Sequence, residues 1–411
     1  MIPLAACALL VFLAGCGAKE DQALGDRIAG RTLTIYSSMP LSGASSLSGQ
    51  TVLAGEQLAL RQAGGRVGKY RIRLESLNDA TAQRGEWDPG QTTLNADQAI
   101  QDKSTIGYIG ELNSGASAVS IPLLNRPAIP QISPASTAVG LTVNGAGAAP
   151  GEPQKYYPTG RRTFARVVPN DQVQAAAMVK LQQGLGCKKV YVLEDGEVDG
   201  EDTATTFELE AKGSSLNVVA IQQFDPKATD YRSLAQSVAQ TGTNCVLISA
   251  ISDTHAALLS QQIAAAAPGA MVFGSAGLAD SKYADPVLGG IPLTLDSRVL
   301  IVVATLSPAA YPSAARAFYA AFARHHGAAQ PDAIFGYEAM SLMLNAIDRA
   351  TDHGRKAALR SKVLAAIFAT RNRHSMLGTY SIDRDGDTTL NQYGIWRVAG
   401  GRLQFWKAIT G

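Results

Sequence analysis

Two textures alternate along this chain. Short apolar runs rich in Val, Ile, Leu and Tyr are each followed by a longer stretch whose apolar residues recur every three or four positions. "RTLTIYSS", "YRIRLESLND", "TIGYIG" and "AIPQIS" have the first texture. Residues 49–63, 91–102 and 115–127, the last stopped by Pro127, have the second. A strand covered on both faces needs a continuous apolar run, and the wider spacing lays one stripe of a helix against the sheet. Strands alternating with helices in this way predict βαβ units and parallel sheets.

The rhythm breaks at 143–160, "VNGAGAAPGEPQKYYPTG", which reads as a long flexible loop because it is dense in Gly, Ala and Pro. It then restarts. Helices are predicted over 171–183, 200–212, 231–240 and 255–266, with strands at "KKVYVLED", "NVVAIQQF", "NCVLIS" and "AMVFGSA". Beyond Arg298 come the strand "RVLIVVATLS", helices over 312–325, 334–350 and 355–369, and a β-rich tail. Turns at Asp385-Gly386 and Gly400-Gly401 predict antiparallel strands that finish a sheet. At 411 residues the chain is too long for one ordinary core, so two similar α/β halves are expected.

Three strand ends run into small, hydroxyl-rich loops: "MPLSGASSLSGQ" (39–50), "GELNSGASAV" (110–119) and "QISPAST" (131–137). In an open α/β sheet such loops line the ligand crevice, and the following helix turns its unpaired N–H groups toward it. On this reading Ser114 caps the helix starting near Gly115 while its neighbours donate to a ligand carboxylate. Ser136, Thr137 and the Ala135 amide do the same from the next loop. Ordinary caps and turns use these residue types too; three such loops in register are what point to a site.

Composition narrows the classes. A net charge of +2 without a basic cluster excludes nucleic acid as the expected partner. No Gly-x-Ser-x-Gly elbow occurs, and "GGRVGKY" lacks the first glycine and the Ser/Thr of a phosphate loop. "GAGAAP" lacks the third glycine of a dinucleotide fingerprint. His325-His326 reads as a helix-end pair, and "DRDGD" as a hairpin turn rather than a calcium loop. No enzyme, cofactor or metal is expected.

The N-terminus, "MIPLAACALLVFLAGCGAKEDQ", has an apolar run too short to span a bilayer but suited to a signal peptide. Leu13-Ala-Gly-Cys16 resembles a bacterial lipobox, so residues 1–16 are expected to be a lipoprotein signal with Cys16 lipidated, followed by a flexible tether over 17–30. The opening "MIP" lacks the usual positive charge, and a plain secretory signal with a chance cysteine is the alternative. Cys187 and Cys245 each precede a β-rich run. If those strands are parallel neighbours, a disulfide joins them; otherwise they are two separate small buried residues.

A family resemblance is carried by "PLSG", "AGEQLALRQAGG", "LNDA", "IGYIGELNSGAS", "IPQISPAST", "FARVVPNDQVQAAAMV", "DYRSL" and "GTYSIDRDGD", in that order. The chain resembles the substrate-binding proteins of branched-chain amino acid ABC transporters. The resemblance implies a class I periplasmic binding fold: two doubly wound, mainly parallel α/β lobes joined by a three-crossover hinge. Lobe one is expected over 31–163 plus 303–377, and lobe two over 164–302 plus 378–411. By position, Ser114 matches the serine that receives the ligand carboxylate, and Ala135 and Thr137 match contacts of the next loop. Asn113 stands where some relatives have a disulfide cysteine, Ser48 where an aromatic packs on the ligand, and Tyr337 matches a cleft-lining aromatic. The acid that pairs with a ligand ammonium falls at Ala276, and an aromatic falls at Asp199, which could supply that charge from a new place. The implied function is a monomeric, extracytoplasmic, lipid-anchored receptor that hands a small, amino acid-like or other acidic or amide ligand to an ABC permease. A sensory receptor of the same fold is the alternative.

Overall fold

The structure, a computed structural model, describes residues 25–251, 254–327, 329 and 331–411. Cys16 and the signal segment lie outside the described residues.

The most continuous apolar runs, such as 105–109, 245–249 and 299–303, become strands buried along their length. The first sheet takes β1 (Thr32–Met39), β2 (Arg66–Val67), β3 (Tyr70–Asn78), β4 (Thr105–Ile109), β5 (Gln131–Ser133) and β6 (Phe164–Arg166), in the order β2-β3-β1-β4-β5-β6. All pairs but β2–β3 are parallel. Its helices are α1 (Ser46–Gln62), α2 (Pro89–Gln101) and α3 (Ser114–Asn125). Asp88 caps α2 by accepting from the Gln91 amide, with Pro89 at the first helical position. The phosphate-loop lookalike "GGRVGKY" holds β2 and the Gly68-Lys69 turn that pairs it with β3.

Helix α4 (Asp171–Gly184) opens the second half, followed by β7 (Lys189–Glu194), α5 (Val198–Lys212), β8 (Asn217–Gln223), α6 (Arg232–Gln240), β9 (Cys245–Ser249), α7 (Ala256–Ala266), β10 (Met271–Gly274), the short α8 (Ser281–Ala284) and β11 (Val299–Val303). The chain then returns to the first half. Helices α9 (Ala314–His326), α10 (Ala333–Ala350) and α11 (Arg360–Phe368) follow, and α10 packs along α1. Their approach needs glycine: a Cβ on Gly336 would lie 2.2 Å from the Val52 carbonyl oxygen. A hairpin, β12 (Arg373–Ser375) and β13 (Gly378–Tyr380), leads to β14 (Gln392–Ala399) and β15 (Arg402–Thr410). These last two complete the second sheet, β15-β14-β11-β10-β9-β7-β8, as antiparallel strands. Gly400 and Gly401, both at positive φ, make their turn.

β7 and β9 are parallel neighbours, with Val190 opposite Cys245, and a disulfide joins Cys187 to Cys245. "DRDGD" is a turn closed by Asp383 Oδ1, which accepts from the amides of Asp385, Gly386 and Asp387.

Three expectations need correction. Segment 143–160 is packed rather than loose: Tyr156 donates to Glu152, and Tyr157 donates to the Leu141 carbonyl at 2.7 Å, with both rings buried. Its two tyrosines pack with Ile121, Ala138, Leu141 and Phe164 in a small hydrophobic cluster. The end of the expected tether is docked: Ile28 is 3% exposed and donates to the Ala358 carbonyl, while Asp26 accepts from the Ser361 amide. The first sheet also extends through Arg166, past the boundary expected at 163, because Gln131–Ser133 pairs with Phe164–Arg166.

Candidate functional site

Residues following the carboxyl ends of strands from both sheets enclose one cavity of about 90 Å³. Ser45 and Ser48 come from beyond β1, Asn113 and Ser114 from beyond β4, and Ala135 and Thr137 from beyond β5. From the other half come Asp199 at the start of α5, Ile251 beyond β9, and Ala276 and Asp280 beyond β10. Asp332, ahead of α10, completes the acidic part of the wall.

The small loops are first of all stitched to one another. Ser133 Oγ donates to the Glu111 carbonyl and accepts from the amides of Ala135 and Ser136. Ser136 Oγ bonds Ser117 Oγ at 2.8 Å and donates to the Glu111 carbonyl. Ser114 Oγ accepts from the amides of Thr137 (3.1 Å) and Ala138 (3.2 Å). After this internal bonding, two hydroxyl hydrogens point across the gap. Thr137 Oγ1 donates to Asp199 Oδ1 at 2.7 Å, and Ser114 Oγ donates to the same oxygen at 3.3 Å.

Asp199 is brought there by a tight strand-to-helix turn. Asp195 Oδ1 accepts from the Glu197 amide, and its Oδ2 accepts from the Ile251 amide at 2.9 Å, tying two loops of the second sheet together. Gly200 is required beside it, since a Cβ would lie 2.2 Å from Asp195 Oδ1. One turn along α5, Asp202 Oδ2 accepts from the Val139 amide at 3.0 Å, a second bond between the halves. Ser48 donates to Asp280 Oδ2, Lys282 Nζ donates to the Gly43 carbonyl, and Arg84 lies 3.5 Å from Glu197. These contacts hold the two lobes together around the cavity.

Burial raises the Asp199 carboxyl above its usual range, against the pull of the Thr137 and Ser114 hydroxyls and the Arg166 charge. Burial, and after it the Asp280 charge, lifts Asp332 to about 6. Burial lifts Asp202 to about 7, and it drives Asp171 well up with help from the charges of Asp199 and Asp202. Desolvation disfavours the charged form of a buried carboxyl, and for Asp199, Asp202 and Asp171 it outweighs the pull of Arg166. Among the described lining residues there is no Lys, Arg or His.

Of the residues expected at the site, Ser48, Asn113, Ser114, Ala135, Thr137, Asp199 and Ala276 line the cavity. Ser136 does not: it is fully buried and bonded inward, because Ser117 and Glu111 lie behind it. Tyr337 does not either. Its ring stacks edge-on against Phe318, and its hydroxyl donates to Gln62 at 2.6 Å, because α10 turns that face toward α1. The cap of α3 is Asn113 rather than Ser114, which is the first helical residue and bonds across to the next loop. The Ala135 amide is spent on Ser133 Oγ. Asp280 and Asp332 were not foreseen. Each precedes a helix, where Asp reads as a cap; Asp280 does cap α8, while Asp332 makes no capping bond. Among the described residues no group of His, Cys, Asp and Glu is disposed to hold a metal ion.

Two α/β lobes with a cavity between their strand ends define a two-lobed clefted binding protein. The chain belongs to the periplasmic binding protein family, whose sequence profile matches residues 33–402. Its fold is similar to that of a leucine-binding protein from Thermotoga maritima (TM-score 0.78, 22% identity, covering 92% of this chain and 99% of that one). A branched-chain amino acid transporter substrate-binding protein from Streptococcus pneumoniae, in complex with isoleucine, matches with TM-score 0.76 and 16% identity over 92% and 100% of the two chains. A solute-binding protein from Rhodopseudomonas palustris, in complex with 3,4-dihydroxybenzoic acid, matches with TM-score 0.73 and 17% identity over 93% and 98%. No curated protein matches the chain.

Proposed function

We propose that this protein is an extracytoplasmic solute-binding component of an ABC transporter, which captures a small polar solute between its lobes and delivers it to a membrane permease. The observation that carries the reading is the convergence of Ser114 and Thr137 from one lobe and Asp199 from the other on a single cavity. A solute touching both walls binds the closed arrangement better than an open one and shifts the balance by that difference in affinity. The neighbours named for leucine, isoleucine and a dihydroxybenzoic acid support solute capture by this fold. No reaction step is assigned to the cavity. An amino acid-like solute that sets its carboxylate on Ser114 and Thr137 requires Asp199 to leave those hydroxyls.

Calorimetry of the purified protein against amino acids, amines and aromatic acids tests this. Saturable one-to-one binding, accompanied by lobe closure in small-angle scattering, is expected. Turnover of the bound solute would overturn the reading. Anchoring is proposed through Cys16, and mass analysis of the exported protein checks it: an unmodified Cys16 rules the anchor out.

A further inference from the structure

We infer that the cavity selects a small organic cation without a free carboxylate, because the chain's own Asp199 already occupies the hydroxyl seat on Ser114 and Thr137 and two further carboxylates face the same space. This rests on the solute-capture reading above.

A hydroxyl has one hydrogen to give, and both of these go to Asp199 Oδ1. Amides of the loop after β5 are committed as well: Ala135 to Ser133, Thr137 and Ala138 to Ser114, Val139 to Asp202. A solute carboxylate therefore has to displace Asp199 and then share the space with Asp199, Asp280 and Asp332. The described lining residues supply it no counter-charge. Arg166, the guanidinium whose charge reaches Asp199, is locked behind the loop: Nε donates to Asp387 at 2.6 Å, and its other nitrogens donate to the carbonyls of Ser136 and Ala138 and to Thr142. The Lys282 ammonium is turned to the Gly43 carbonyl.

An ammonium or guanidinium meets the opposite situation. Its N–H groups donate to the carboxylates that line the cavity, Asp199 and Asp280 on one lobe and Asp332 on the other, so it bridges the lobes. Leu112, Val168 and Val303 give a short alkyl part an apolar wall. With about 90 Å³ available, the solute is small.

Cation binding pulls the raised carboxyls of Asp199 and Asp332 into their ionised forms, so it releases protons. The groups facing Asp199 are Arg166 on β6, Asp171 on α4, Asp202 on α5, Asp195 and Glu197 in the turn before it, and Tyr393 on β14. Those facing Asp332 are Asp280, Tyr311 and Tyr319.

The test uses three probes with one alkyl chain: butylamine, norvaline and pentanoate. By calorimetry at pH 7.5, butylamine is expected to bind at least tenfold more tightly than either other probe. Its affinity should fall several-fold toward pH 5, with protons released in buffers of different ionisation heat. Asp199→Asn, which keeps the side-chain shape, should weaken the amine, and Asp199→Ala should admit pentanoate. Tighter binding of norvaline or pentanoate, proton uptake, or no effect of either Asp199 variant overturns the inference and leaves solute capture standing. If neither these probes nor a wide set of amines, amino acids and acids binds, the solute-capture reading itself fails.

Discussion

Thr137 and Asp199, 62 residues apart, meet across the cavity at 2.7 Å, a loop of the first sheet against the first turn of a helix on the second. A hydrogen bond to a charged group contributes roughly 1.5–3 kcal/mol, enough to bias how far the lobes stand apart.

Thr137→Val removes that donor while keeping the shape. The lobes are expected to spend more time apart, seen as a larger radius of gyration at neutral pH. In a double-mutant cycle with Asp199→Ala, the coupling between the two positions should exceed roughly 0.5 kcal/mol. Additive effects would mean that the contact carries no energy.

Buried carboxyls set the pH dependence of stability. Burial pushes Glu56 up to about 8 and Asp79 and Asp195 up to about 7. A raised carboxyl binds more protons folded than unfolded, so stability falls as pH rises from about 4 toward these values. Melting temperature should therefore drop between pH 5 and pH 8. Glu56 alone accounts for about 3 kcal/mol at pH 7, at roughly 1.4 kcal/mol per unit. Glu56→Gln should flatten the slope, and a melting profile as steep as the parent's would refute the assignment.

Arg166 is fully enclosed, and it ties β6 to the loop after β5 and to Asp387 in the turn before β14. Arg166→Ala strands the Asp387 carboxylate and should cost about 3–5 kcal/mol in chemical denaturation. Adding Asp387→Ala should recover part of the loss, and Arg166→Lys should rescue poorly because the ammonium lacks the planar fork.

The Cys187–Cys245 disulfide spans 58 residues of sequence. Loop-closure entropy for that length suggests about 4 kcal/mol. Reduction, or Cys187→Ala with Cys245→Ala, should lower the denaturation midpoint accordingly while leaving solute affinity unchanged, since neither sulfur lines the cavity.

Helix packing gives a sharper steric test. Gly336→Ala forces a methyl group toward the Val52 carbonyl and should destabilise by about 1–3 kcal/mol, read from thermal melts.

The sequence by itself determined the alternation of strand and helix, the two halves, the antiparallel finish and the loops that bear the site. Each of these follows from local periodicity and turn chemistry, which neighbouring residues carry. It also brought Ser114, Thr137 and Asp199 forward by name. Only the tertiary structure decided what they do. The hydroxyls of Ser133, Ser136 and Ser114 looked alike in sequence, yet most of them bond the loops to each other. Tyr337 turned inward because α10 packs on α1. Asp280 and Asp332 join Asp199 on the wall of one cavity only because the lobes are brought together. Which hydroxyl faces the gap, and which carboxylate meets it, depends on how the two lobes are juxtaposed, and no local pattern encodes that distance.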